Sequence, residues 1–471
     1  MKPSKHIHLI GICGTAMASL AGMLSERGFR VTGSDAAAYP PMSDFLRELG
    51  IPVSQPFAEA NLDPRPDLVV VGNAISRGNV ELEYVLDQRI LFCSLPQILH
   101  DEFLRGKEVL VVAGTHGKTT TTSMLSWIFD AAGMQPSFLI GGIAENFGRS
   151  FQLGEGQHFI IEGDEYDTAF FDKGPKFLHY FPDSAILTSV EFDHADIYKD
   201  LDAVETAFKR LVNLVPRRGR IVAFDHGESL KRCLARAFCP VESYGVSAEA
   251  TWRIADLVLE PSRTLWTVLY QGKPWADFEF PLGGEYNVWN ATAAAALAAA
   301  YGISKEQIAL ALKTFKSVKR RLEVRAKVRG VTIIDDFAHH PTAIETTIAG
   351  LRTRVGRGED GKRTRILAVL EPRSNTMKLG VMKAQLPKSL ADADLVFGYG
   401  APSGKDALGW DLAGALAPLG EKARAFHELD ALVKAVAAAA RPGDQVLVMS
   451  NGGFGGVHQK LLDALSARSA A

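Results

Sequence analysis

Short apolar runs alternate with helical stretches along most of this chain. Ile7–Ile10, Arg30–Thr32, Leu68–Val71 and Leu91–Cys93 read as strands with helical runs between them. Buried apolar strands alternating with helices predict a parallel sheet. A second block opens with the strand Lys107–Ala113 and a helix over Thr121–Phe129, and continues through strands at Phe159–Glu162, Ser184–Thr188 and Arg220–Phe224. Apolar and polar residues then alternate over roughly Thr251–Phe280, which predicts a β-rich insert, followed by an alanine-rich helix over Asn290–Tyr301. A third α/β block starts near Arg320-Arg321, with strands at Thr332–Asp335, Thr364–Leu370, Leu395–Phe397 and Gln445–Met449. Gly356–Arg363 reads as a solvated loop. The expected domains are 1–106, 107–320 and 321–471, which agrees with a prior of about 150 residues per domain.

Composition narrows the class. Apolar residues make up 47% and charged residues 23%, as in ordinary globular proteins. A net charge of −2 supplies no general field for nucleic acid or an anionic membrane, so any phosphate must be bound locally. Cys13, Cys93, Cys233 and Cys239 form no C-x-x-C pair and read as reduced thiols of a cytoplasmic protein. Lys2 and Lys5 before the apolar run 9–24, with Ala16-Met17-Ala18, imitate a secretory leader. Gly11 and Gly14 would weaken such a helix; a strand over His6–Ile10, a glycine loop and a helix fit better. No segment reaches the roughly 20 apolar residues of a membrane span, so no membrane insertion is expected.

The chemistry concentrates where strands end. Val111-Val112-Ala113-Gly114-Thr115-His116-Gly117-Lys118-Thr119-Thr120-Thr121 has the layout of a phosphate-binding loop, with a strand entering and a helix leaving. Backbone N–H groups and the helix start face a phosphate, Lys118 brings a point charge, and Thr119 offers a hydroxyl to Mg²⁺. Val112 stands where the usual pattern has glycine. The acidic run Glu162-Gly163-Asp164-Glu165-Tyr166-Asp167 ends another apolar strand. Glu162, nearest the apolar residues, is the candidate to complete the Mg²⁺ site. Ser189-Val190-Glu191-Phe192-Asp193-His194-Ala195-Asp196 follows a third strand, and His194 is a candidate second-metal ligand against a plain structural role.

Gly11-Ile12-Cys13-Gly14-Thr15-Ala16-Met17 follows the first strand, and Asp35 follows the second at the distance of a ribose-binding acid. Cys13 and Met17 stand where a dinucleotide loop carries glycine, so NAD, another nucleotide and a structural turn all remain open. The NAD reading would make the chain an oxidoreductase. Asn287 and Asn290 flank a helix start, where one could serve as N-cap. Arg320-Arg321 and Asp335-Asp336 bracket the entry to the third block, and the adjacent arginines are surface charge or, at a domain hinge, phosphate clamps. His339-His340-Pro341 has helix-start character. A zinc site has no complementary Cys/His set.

Together, Gly114–Thr120, Glu162-Gly163-Asp164-Glu165, Phe192-Asp193-His194, Asn287/Asn290 and Asp335-Asp336-Phe337-Ala338-His339-His340-Pro341 resemble the ATP-dependent Mur ligases of peptidoglycan synthesis across essentially the whole chain. The resemblance implies a Rossmann-like UDP-sugar domain, a central ATPase domain with a β-rich insert, and a Rossmann-like C-terminal domain for the amine substrate. It implies ATP and Mg²⁺, with Gly114, Thr115, His116, Gly117, Lys118, Thr119, Thr120, Asn290, Arg321 and Asp336 at the nucleotide. Thr119, Glu162 and His194 would serve the metal ions, and Lys118, Glu162 and His194 catalysis. Gly11, Gly14, Thr15, Ser34 and Asp35 would hold the sugar nucleotide. Arg321 and Asp336 would reach phosphate and ribose only after the third domain closes.

Two branches of the family use UDP-N-acetylmuramate as acyl donor. One adds L-alanine; the other adds the tripeptide L-alanyl-γ-D-glutamyl-meso-diaminopimelate. The first loop, Glu191–His194, Glu371-Pro372-Arg373-Ser374-Asn375-Thr376-Met377-Lys378 and Met449–Gly456 resemble the tripeptide branch. Arg373, Ser374 and Asn375 are then the expected peptide contacts. Tyr286 stands where several relatives have histidine, which puts a nucleotide contact there in doubt. Lys209 falls near a lysine that some members carry in carbamylated form.

Overall fold

The computed structural model describes residues 5–38, 42–356, 361, 363–404 and 406–467. These fall into two compact units. The first comprises 1–191, 202–253 and 292–311, and the second 192–201, 254–291 and 312–471.

The first unit begins with a five-stranded sheet built from β1 (His6–Ile10), β2 (Arg30–Ser34), β3 (Val53–Ser54), β4 (Leu68–Val71) and β5 (Phe92–Ser94). Its order is β3-β2-β1-β4-β5 and all pairings are parallel. The order reverses between β1 and β4, which places the Gly11 loop at the switch point where open α/β sheets collect ligands. Helix Thr15–Glu26 follows that loop, with Met17 to Leu24 buried throughout.

The larger sheet of this unit contains β6 (Glu108–Ala113), β7 (Ser137–Ala144), β8 (Arg149–Gln152) and β9 (His158–Gly163). The hairpin strands β10 (Asp167–Ala169) and β11 (Asp172–Pro175) pair apart from it. It continues through β12 (Ser184–Leu187), β13 (Arg220–Phe224), β14 (Val241–Gly245) and the start of β15 (Trp252–Leu259). From β15 the order is β14-β13-β12-β6-β9-β7-β8, parallel except for β7 with β8. β6 is central and apolar on both faces, so its carboxyl end is a crevice walled by β9 and β12.

The expected insert over Thr251–Phe280 is β15 followed by the antiparallel pair β16 (Thr264–Tyr270) and β17 (Lys273–Phe280). The second unit also carries a six-stranded sheet of β18 (Glu323–Val328), β19 (Val331–Asp336), β20 (Ile366–Leu370), β21 (Leu395–Tyr399), β22 (Ala423–Phe426) and β23 (Gln445–Met449). Its order is β18-β19-β23-β20-β21-β22, with only β18 antiparallel. Cores form on both faces, one around Ile344, Leu370 and Met449 and the other around Val369, Val448 and Leu461.

Several sequence expectations shift. The helix after the phosphate loop starts at Lys118 rather than Thr121, because Gly117 adopts φ 83° and turns the chain straight into the helix. Threonines are weak helix formers, which hid that first turn. The helix expected from Asn290 starts at Glu285, released by Gly284 at φ 94°. Asn287 and Asn290 therefore lie inside it, and Asn287 Nδ2 donates to Gly283 O at 2.8 Å rather than capping. Of the loop expected over Gly356–Arg363, residues 357–360 and 362 lie outside the described residues, as does Lys2.

Candidate active site

The phosphate loop is built from β6 outward. Gly114 holds φ 137°, and a Cβ there would fall 2.1 Å from Thr188 Oγ1. Only glycine lets the loop lie this close to the end of β12. Thr115 N donates to Ser189 O at 2.9 Å, His116 N to Ser189 Oγ at 3.1 Å, and Glu191 N to Thr115 Oγ1 at 2.8 Å. The loop is thus clamped along one side. The first turn of helix Lys118–Ala131 supplies the N–H groups that have no intrahelical acceptor, the standard anion-binding arrangement.

The acidic run sorts into separate partnerships. Glu165, almost fully buried, accepts from Lys118 Nζ at 2.7 Å, and the same ammonium donates to Gly114 O at 2.7 Å. Burial alone would lower the Lys118 pKa, but Glu165, Asp164 and Glu162 raise it above the ordinary lysine value, so the side chain stays a cation at the loop mouth. Glu162 accepts from Thr119 Oγ1 at 3.0 Å and from Gly141 N at 2.9 Å. Burial pushes its carboxyl up, against Lys118 and these hydrogen bonds. Asp164 pairs with Lys176 at 2.6 Å and Asp167 with Lys173 at 3.0 Å. A hydroxyl and a carboxylate 3.0 Å apart beside a phosphate cradle are hard oxygen donors, a set that fits Mg²⁺. The sequence singled out Glu162 but not Glu165, Gly141, Thr188 or Ser189, whose roles arise from contacts distant in sequence.

The first loop is organised differently. Gly11 at φ 82° and Ile12 both donate their N–H to Ser34 O, at 2.8 and 3.1 Å, and Cys13 N donates to Asp35 Oδ2 at 2.9 Å. Gly14 takes the N-cap position of helix Thr15–Glu26, so Thr15 opens that helix. One oxygen of Asp35 therefore fixes the loop itself. Ser34 is fully buried and its hydroxyl donates to Glu81, so it anchors the loop from beneath rather than offering its side chain upward. Glu81 also accepts from Ala58 N at 3.0 Å and Asn61 Nδ2 at 2.6 Å. Burial pushes the Cys13 thiol up to about 11, helped by Asp35.

In the second unit, His194 takes the left-handed conformation at φ 54°, uncommon for a residue with a Cβ. Its N–H donates to Asp193 Oδ1 at 2.7 Å, and Thr376 Oγ1 donates to the same oxygen at 2.7 Å. Burial would raise the Asp193 carboxyl; His194, His339 and Thr376 hold it well below the usual carboxylate range. Asp336 accepts from Leu322 N and Ala338 N, each at 2.8 Å, and from Thr347 Oγ1 at 3.3 Å. Both oxygens thus brace the turns around Arg321, whose guanidinium lies 5.4 Å from the Phe337 ring centre. His340 caps helix Pro341–Val355 through Thr342 N, in keeping with the helix-start reading. Asn290 is buried. Tyr286 fills a slot where Cβ atoms at Gly284 and Gly350 would fall 2.6 and 2.9 Å from its ring. Arg373 Nη2 contacts both oxygens of Asp406, Ser374 Oγ caps a short helix by accepting from Met377 N at 3.3 Å, and Asn375 Nδ2 donates to Asp196 at 2.7 Å. In the first unit, Lys209 is an exposed helix residue 3.2 Å from Glu205.

A glycine loop at a switch point, together with a phosphate loop carrying a buried lysine–glutamate pair and a magnesium-type donor set, defines a nucleotide-using enzyme. The chain belongs to the Mur ligase family. The model of the Mur ligase family catalytic domain matches residues 6–105, the Mur ligase middle domain 112–298, and the Mur ligase glutamate ligase domain 320–452. The fold is accordingly the three-domain α/β fold of that family. The chain is 46% identical, over 99% of each chain, to UDP-N-acetylmuramate--L-alanyl-gamma-D-glutamyl-meso-2,6-diaminoheptandioate ligase of Escherichia coli (strain K12). It superposes with a TM-score of 0.77 and 38% identity on the crystal structure of a murein peptide ligase from Psychrobacter arcticus 273-4, covering 99% of this chain and 100% of that one. Identity to the UDP-N-acetylmuramate--L-alanine ligase of Desulfitobacterium hafniense (strain Y51) is 32%, over 97% of this chain and 99% of the relative.

Proposed function

We propose that this chain joins the free amino group of L-alanyl-γ-D-glutamyl-meso-diaminopimelate to the lactyl carboxylate of UDP-N-acetylmuramate, with ATP converted to ADP and phosphate. The observation that carries the reading is full-length identity of 46% to a tripeptide-adding ligase against 32% to an alanine-adding one. Family membership removes the NAD oxidoreductase reading of the Gly11 loop. The domains are assigned as 1–106 for the sugar nucleotide, 107–320 for ATP and 321–471 for the amine. The substrates and the four free thiols suit a cytoplasmic enzyme of peptidoglycan recycling. No helix among the described residues is long and apolar enough to cross a membrane.

The chemistry runs through an acyl phosphate. The carboxylate oxygen attacks the γ-phosphorus of ATP and ADP leaves; the amine then attacks the activated carbonyl and phosphate leaves. Lys118, kept protonated by Glu165, neutralises charge on the transferring phosphoryl group. Thr119 and Glu162 would hold Mg²⁺, which supplies further neutralisation of the phosphate oxygens. Gly11, Gly14, Thr15 and Asp35 are assigned to the sugar nucleotide, and Arg373 to the peptide. His194 is retained as a second-metal ligand, to be tested by the Mg²⁺ titration of His194→Ala. The test of the function is direct: with ATP, Mg²⁺ and UDP-N-acetylmuramate, the protein should ligate the tripeptide far better than free L-alanine. Efficient use of L-alanine with no tripeptide product would reassign it to the alanine-adding branch.

A further inference from the structure

Loops at the carboxyl ends of three parallel strands of the second unit's sheet meet around Arg373. Arg373 follows β20, Asp406 follows β21, and Ser450 to Gly452 follow β23, which pairs with β20. Asp406 lies 3.1 and 3.2 Å from Arg373 Nη2 through its two oxygens, and both side chains are about a quarter exposed. Gly452 makes the room: a Cβ there would fall 1.8 Å from Arg373 Nη1. The neighbouring acids are committed elsewhere. Glu371 accepts from Ser450 Oγ at 2.6 Å, and Asp335 pairs with Arg320 and His458. Asp406 is therefore the carboxylate presented beside Arg373 with a face to solvent.

An arginine–aspartate pair at a sheet edge is a fixed dipole, and its complement is a zwitterion. In the proposed tripeptide the alanyl amine is the nucleophile, and the nitrogens of the glutamyl residue and the near diaminopimelyl centre are acylated. One unreactive ammonium remains, on the distal diaminopimelyl carbon, next to a free carboxylate. We propose that Asp406 accepts this distal ammonium while Arg373 takes the adjacent carboxylate bidentately, so that the internal ion pair opens into two pairs with the substrate. Asp406 is thus the residue that selects diaminopimelate over an acid lacking the second amine. This inference rests on the tripeptide reading above.

The test compares three peptides that differ only at the third residue. Meso-diaminopimelate carries both distal groups, L-2-aminopimelate keeps the distal carboxylate, and L-lysine keeps the distal ammonium. In Asp406→Asn, KM for the diaminopimelyl peptide should rise about ten- to hundredfold, the loss expected for one charge-assisted pair, while KM for the aminopimelyl peptide, which uses only the freed Arg373, should not rise. Arg373→Ala should raise KM for both carboxylate-bearing peptides without raising it for the lysyl peptide, whose ammonium meets an Asp406 released from its ion pair. Asp406→Glu should restore most of the discrimination. An equal rise for all three peptides in Asp406→Asn, or no rise for the diaminopimelyl peptide, overturns the assignment. Wild-type protein that ligates none of them overturns the tripeptide reading itself, a result separable from the behaviour of the variants.

Discussion

The Gly11 loop and the Gly114 loop share one plan and differ in where charge is placed. Each leaves a parallel strand, turns on a left-handed glycine and enters a helix. The Gly11 loop is tied by an acid, Asp35, that accepts a backbone N–H, with no lysine at its helix start. The Gly114 loop carries an ammonium at its mouth, locked by a buried glutamate, and the next residue, Thr119, donates its hydroxyl to Glu162 on β9. A bound phosphate that stays put needs only N–H groups; a phosphoryl group that moves needs a cation and metal ligands to follow its charge. On the proposed function, the difference separates the loop assigned to hold the sugar nucleotide from the loop assigned to phosphoryl transfer.

The largest expected effect breaks the second loop. Lys118→Ala should depress kcat about 10²–10³-fold, the usual loss when one electrostatic stabiliser is removed. It also leaves the buried Glu165 without its cation, a loss of about 3–5 kcal/mol in stability. Lys118→Ala combined with Glu165→Gln should recover melting temperature without recovering turnover, which calorimetry and a phosphate-release assay can separate.

A smaller effect sharpens the metal side. Glu162→Gln should raise the Mg²⁺ concentration for half-maximal rate about ten- to hundredfold. Gly141→Ala should act in the same direction, because its Cβ would fall 2.7 Å from Glu162 Oε2 and displace that carboxylate. An Mg²⁺ titration unchanged in both variants would remove Glu162 from the metal site.

In the first loop, Asp35→Asn weakens one charge-assisted hydrogen bond to Cys13 N. KM for UDP-N-acetylmuramate should rise roughly tenfold with KM for ATP unchanged. The smallest effect concerns Cys13. Its thiol is pushed up to about 11, so alkylation by iodoacetamide should stay slow at pH 8 and accelerate only as the pH climbs toward that value. Rapid labelling at neutral pH would contradict the protonated, Asp35-facing thiol.

Much of this was legible in the chain and some was not. Buried strands such as Leu68–Val71 and Gln445–Met449 announced themselves, because a run of apolar residues between polar turns has few other uses. Short or half-exposed strands such as β3, β8, β18 and β22 carried no such pattern. Lys118, Thr119 and Glu162 were readable from motif and strand end. Glu165 was not, since four acids stand close together in that run and only the fold assigns Lys118 to one of them. Glu81 looks like a surface residue on helix Val80–Asp87 yet is fully buried, held by Ser34, Ala58 and Asn61 from elsewhere in the sequence. Ser374 and Asn375 are expected peptide contacts by the resemblance alone; that Ser374 also caps a short helix and Asn375 also binds Asp196 depends on partners that spacing does not reveal.

The division of labour between the two loops is tested most directly by calorimetric titration of Lys118→Ala and Asp35→Asn with UDP-N-acetylmuramate and with ATP and Mg²⁺. The account predicts a crossed pattern, in which Lys118→Ala binds the sugar nucleotide as the wild type does and loses affinity for ATP, while Asp35→Asn does the reverse. Loss of both ligands in either variant, or of the sugar nucleotide in Lys118→Ala alone, would contradict it.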